Sequence, residues 1–116
     1  MYKLIIIIEP QDDWVAFEKG WPDFLAAAEK MPGLRREVTS RVDKLLHGTY
    51  HAALMHELFF DDMEAARQAM ASDEGQATGQ VLQTISGGKL TLLFADHLED
   101  ELENIKQFTA AEDDSA

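Results

Sequence analysis

The chain has 116 residues, room for one domain, and 46% of them are apolar, enough for a core. Its 22 acidic residues against 10 basic ones give a formal net charge of −12, the opposite of the lysine and arginine clusters that hold phosphate backbones, so a nucleic-acid partner is not expected. Cysteine is absent, which excludes disulfides and thiol catalysis. The run at residues 4–8 is far short of the ~20 apolar residues that cross a membrane.

The opening stretch YKLIIIIE, residues 2–9, is β-branched and continuous, the pattern of a strand buried on both faces. Pro10 ends it, and Asp12 or Asp13 can cap a helix. Trp14, Phe17, Trp21, Leu25, Ala28 and Met31 then recur at helical spacing. Gly20 and Pro22 interrupt that series, and a kink or two short helices are expected there, because proline lacks the donor N–H. Pro32-Gly33 is a stop signal.

Residues 34–46 read as a second strand. Glu37, Thr39 and Arg41 fall on one side of it, and Val38, Ser40 and Val42 on the other. A loop at 47–51 leads into a third strand, residues 52–60, apolar apart from His56 and Glu57. Asp61 or Asp62 can cap the next helix, with Met63, Ala66 and Met70 as its inner stripe. The segment SDEGQATGQ, residues 72–80, opens with a serine cap and two acids, then sets Gly75 and Gly79 four apart on one face of a short helix. Two glycines there allow its backbone to lie against another element. Gly87-Gly88 makes a turn, and KLTLLFAD, residues 89–96, is the last strand.

Strand, helix, strand, strand, helix, strand is the βαββαβ order of an α+β, ferredoxin-like domain with a four-stranded antiparallel sheet. That domain spans 1–96. Beyond it Leu98, Leu102, Ile105 and Phe108 predict an amphipathic helix over 97–109, and residues 110–116 read as a disordered acidic tail. Two helices cover one face of such a sheet. Residues 4–8, 58–60 and 92–94 are nevertheless apolar on successive positions, hence on both faces. The uncovered face is expected to pair with that of a second copy, giving a homodimer with sheets packed face to face.

The stretches PGLRREV and SDEGQATGQVLQTISGGKLTLLFAD resemble the EthD-like proteins of the dimeric α/β-barrel superfamily, over roughly residues 2–96. The resemblance implies a barrel formed by two subunits. It implies a small organic ligand in a cavity, and chemistry of the cofactor-free cyclase, isomerase or monooxygenase kind. A non-catalytic accessory or binding protein in a catabolic pathway akin to ether degradation is the alternative. Such proteins often carry an aromatic residue followed by His-x-Pro in the first helix. Here the region reads GWPDFLAAAEK: Trp21 fits the aromatic position, and Phe24 or Leu25 stands in place of the histidine.

Candidate site residues follow from the chain itself. His56 and Glu57, ionisable and inside an apolar strand, are the candidates for general acid or base, although a structural pairing, of Glu57 with Arg41 for instance, fits as well. Being adjacent, they point to opposite faces. Phe17 and Trp21 are candidate walls of an aromatic pocket, and Arg41, Tyr50 and His51 candidate ligand contacts. His47 and His51 sit four apart in a loop without a completing carboxylate, so no metal site is expected. No P-loop, Rossmann or G-x-S-x-G motif is present, and no cofactor is expected. No basic segment and cleavage motif follow Met1, so a cytoplasmic protein without a signal peptide is expected.

Overall fold

Seven apolar or amphipathic residues after Met1 form β1, Tyr2–Ile8, and everything else packs around it. In the computed structural model, which describes residues 1–100, β1 is followed by α1 (Trp14–Ala28), β2 (Arg36–Arg41), β3 (Leu54–Phe60), α2 (Met63–Ala71), α3 (Asp73–Ser86) and β4 (Leu90–Asp96). The sheet order is β2-β3-β1-β4, with every neighbouring pair antiparallel. This is the expected ferredoxin-like α+β arrangement, with the second helical segment divided into α2 and α3 at Ser72. The Ser72 side chain accepts from the Gly75 N–H while its backbone N–H closes α2.

The register assigns the faces. Leu4 pairs with Leu58, Ile6 with His56, and Ile8 with Leu54. These residues point toward α1, where Phe17, Phe24 and Ala28 complete the core. Ile5, Ile7, Val38, Met55, Phe59, Leu93 and Ala95 alternate with them and share the other face, which no helix among the described residues covers. Among the described residues, the expectation of one helix-covered apolar face and one without a helix over it is met. Cover is incomplete at the β4 edge too: Leu92 and Phe94, on the helix side, remain 46% and 45% exposed.

Asp13 caps α1 and Asp62 caps α2, each side chain accepting an N–H three residues on. The alternatives have other partners: Asp12 pairs with Lys89, and Asp61 with Arg35. The hydrogen bonds of Asp61 to the Arg35 guanidinium hold its carboxyl below the ordinary range.

The expected break in α1 does not occur, for the helix runs unbroken through Gly20 and Pro22. Pro22 lies on the exposed side, where the carbonyl it leaves without a donor can meet water. Gly20 is a contact residue: a Cβ there would overlap the side chain of Ile85, so the glycine lets α1 and α3 close on each other. Gly75 does the same against the backbone carbonyls of Ala69 and Met70, whereas Gly79 faces open space. The close-approach reading of this glycine pair thus holds for the first and not the second.

β2 is shorter than the expected 34–46. One further rung, Val42 N–H to the Ala53 carbonyl, extends the ladder, and residues 43–51 are exposed. The third strand likewise begins at Leu54, two residues later than expected. After β4, residues 97–100 form no regular element, and the His97 ring stands edge-on to Phe59, 4.8 Å between centroids. The rest of the helix expected over 97–109, and the tail, lie outside the described residues.

Candidate functional site

β2 is an edge strand whose polar side, Glu37, Thr39 and Arg41, turns toward the helix layer. Polar residues at the margin of a helix-covered face give α1 nothing apolar to lie on, and a groove opens between α1 and β2. Its volume is about 710 Å³, in the range of small-molecule sites. Trp14, Phe17, Glu18, Trp21 and Pro22 form the α1 wall; Thr39, Arg41, Val42, Ala53 and Leu54 form the sheet wall. Aromatic contacts run along the helix side: Trp14 stands edge-on to Phe17 at 5.2 Å, Phe17 stacks on Trp21 at 5.5 Å, and Trp21 leans on Phe24 at 4.8 Å.

Behind Thr39 lies His56. Its side chain is 1% exposed, with the rings of Trp21 and Phe24 edge-on at 5.3 and 5.4 Å. Both ring nitrogens are engaged: Nδ1 lies 2.8 Å from Thr39 Oγ1, and Nε2 lies 3.0 Å from Glu37 Oε1. A carboxylate only accepts, so Nε2 carries the proton. In the neutral imidazole Nδ1 then accepts, and the Thr39 hydroxyl donates to it. The lone pairs of that hydroxyl are not used by His56, and Thr39 lines the groove.

Glu57, the next residue, looks the other way. It sits on the uncovered sheet face, 8% exposed, and is ion-paired with Lys3 of the neighbouring strand rather than with Arg41. Arg41 is a groove residue with no ion-pair partner among the described residues. Phe17, Trp21 and Arg41 are therefore brought together, with His56 one hydroxyl away.

Tyr50 and His51 are not brought in. Both are exposed and neither lines the groove; the Tyr50 hydroxyl donates to Thr91 Oγ1 at 3.1 Å, on the uncovered-face side of β4. Glu37 and Thr39, the partners of His56, were not singled out from the sequence. The alternation that puts both on one side of β2 was visible there; the β2–β3 register that sets His56 between them was not.

No protein-family model matches the chain. Among solved structures, an ethyl tert-butyl ether degradation (EthD) family protein from Bacillus halodurans C-125 is 33% identical, covers 84% of this chain and 99% of its own, and superposes with a TM-score of 0.78. The chain belongs to the EthD family. An uncharacterised 11.0 kDa protein from the thcB-thcC intergenic region of Rhodococcus erythropolis is 27% identical to this EthD-family chain over 97 residues, 83% of the chain and 94% of that protein. SnoaB, a cofactor-independent oxygenase from Streptomyces nogalater, shares the fold at 14% identity, with 87% of this chain and 96% of its own covered and a TM-score of 0.63. Dimeric ferredoxin-like proteins of unknown function, between 10% and 14% identical, share it too.

Proposed function

We propose that this EthD-family protein is a homodimer that binds a small, flat, largely apolar organic molecule in the groove between α1 and β2, and acts on it. The groove carries the reading: it is open, ringed by Trp14, Phe17 and Trp21, and holds few polar groups, chiefly Thr39, Arg41 and Glu18. Aromatic walls with a small number of placed polar groups are the usual make-up of a site for an organic ligand. A fold shared with a cofactor-independent oxygenase supports chemistry on such a molecule. His56 is the candidate for acid-base work, because its hydrogen bond to Thr39 reaches the groove. Glu57, held by Lys3 on the other face, belongs to the dimer side of the sheet.

Dimerisation rests on the bare face. Ile5, Ile7, Val38, Met55 and Leu93 form an apolar surface without a helix over it among the described residues, and a second copy supplies the matching surface through a two-fold axis. The fold shared with dimeric proteins supports the same assembly.

Native mass spectrometry of the protein as purified, together with equilibrium sedimentation, tests both halves. The expected result is a dimer that carries a bound organic molecule or takes up 4-nitrophenol with quenching of tryptophan fluorescence, and a Trp21→Ala variant that binds at least tenfold more weakly. A monomer at micromolar concentration overturns the assembly. Unchanged affinity in Trp21→Ala overturns the groove.

A further inference from the structure

Glu37, His56 and Thr39 form a continuous hydrogen-bonded line that ends in the groove. From this geometry we infer that the line is a proton relay: Thr39 accepts a proton from a weak oxygen acid bound in the groove, a phenol or an enol, and passes its own hydroxyl proton to His56. The inference rests on reading the groove as a small-molecule site.

With His56 neutral, each link has one assignment. Glu37 accepts from His56 Nε2–H at 3.0 Å, which leaves Nδ1 as the acceptor of the Thr39 hydroxyl at 2.8 Å. Thr39 lines the sheet wall of the groove, and a hydroxyl that donates its proton to His56 keeps its lone pairs for a ligand O–H. In the transfer, the ligand O–H bond breaks and its proton goes to Thr39 Oγ1, while the original Thr39 proton goes to His56 Nδ1. Thr39 is again a neutral hydroxyl, now donating to the ligand anion. His56 is an imidazolium held by the Glu37 carboxylate, and no oxidant or co-reactant is needed.

Three features favour this over a merely structural hydrogen bond. The side chain of His56 is 1% exposed, so its route to a ligand is through Thr39. The Glu37 carboxylate, with its side chain 20% exposed, supports the charge His56 acquires. Arg41, two residues along β2 and hence on the same side as Thr39, offers a cation to the ligand anion about 6.6 Å along the strand. Glu18 faces them from α1 and opposes an anion on its own side of the groove, so the ligand oxygen belongs at the sheet wall. Thr39 is the catalytic residue; His56 and Glu37 act through it as positioning residues.

The probe is 4-nitrophenol, whose anion has its own absorbance band. In the wild-type protein, bound probe is expected to ionise at a pH about one unit below the free compound, as an anion beside a cation and a donor does. Thr39→Ser should keep that shift. Thr39→Val, a change on the open groove wall, should still bind the probe with tryptophan quenching, but reduce the shift to what Arg41 supplies, and Thr39→Val/Arg41→Gln should remove it. If Thr39→Val binds the probe and ionises it where the wild type does, the relay is overturned and the groove stands. If 4-nitrophenol quenches no tryptophan in the wild type, the groove reading falls, and the relay with it.

Discussion

His56 and Glu57 are neighbours in β3, both nearly removed from water, and they have opposite surroundings. His56 faces the helix layer, between the rings of Trp21 and Phe24, with a hydroxyl and a carboxylate on its two nitrogens. Glu57 faces the other side of the sheet and is held by Lys3. One residue of displacement along a strand exchanges a site that opens to a groove for one on the opposite face of the sheet, away from α1. The polar groups of the first face form a line toward the groove, which is why the proposed chemistry is placed there. On the second, Lys3 and Glu57 cancel amid apolar neighbours, which is why the proposed assembly is placed there.

The largest expected effect sharpens this contrast. Phe24 is fully buried on the helix side and packs on both Trp21 and His56. Phe24→Ala should cost about 4 kcal/mol of stability, read as a drop in the urea midpoint. Met55 lies on the bare face and is half-buried. Met55→Ala should cost less, and its cost should depend on protein concentration, because in the proposed dimer its neighbours are completed by a second copy. A Met55→Ala penalty that does not change with concentration would break the distinction between the two faces.

Next comes the Lys3–Glu57 pair, with side chains 16% and 11% exposed. Lys3→Met leaves a nearly buried carboxylate without its cation and should cost about 3 kcal/mol. Adding Glu57→Leu removes the stranded charge, and the double variant should recover most of the loss. A double variant as unstable as Lys3→Met alone would mean that Glu57 does more than balance a charge, and would return it to the list of candidate catalytic groups. Thermal melts of the three variants and the wild type decide it.

The β order, the caps and the bare apolar face were legible in the sequence because each depends on residues close together. The alternating period of 36–41 and the runs at 4–8 and 58–60 state which positions share a face. What they do not state is which face of β2 meets α1. The polar one does, and that choice makes the groove. Pro22 and Gly20 misled for a related reason. Local rules make them helix breakers, while the closeness of Ile85, 65 residues away in a chain folded back on itself, gives Gly20 its purpose. The family resemblance, carried by PGLRREV and the glycine segment, was legible as well. Phe24 or Leu25 stands in α1 where such proteins often carry a histidine, and the buried histidine of the candidate site lies on β3 instead.

The smallest effect belongs to the rim, outside both faces. Arg35 and Asp61 join the beginning of β2 to the end of β3 through two exposed hydrogen bonds, 3.1 and 2.8 Å long. Those bonds, and to a lesser degree the charge of Arg35, hold the Asp61 carboxyl below its ordinary value of 3.8. A carboxyl whose folded value is lowered stabilises the fold once it is ionised in both states, above the ordinary value, and loses that contribution as pH falls through the lowered one. The melting-temperature gap between wild type and Asp61→Asn should therefore be constant from neutral pH to roughly pH 5, then close as the pH falls below the ordinary carboxylate range. The difference between the two proteins is the quantity to follow, because the chain's other carboxylates titrate alike in both. The groove should not respond, since neither residue lines it. If 4-nitrophenol binding weakens in Asp61→Asn at neutral pH, the β2–β3 end is coupled to the site, and the register that sets His56 between Glu37 and Thr39 depends on the rim as well as on the two faces.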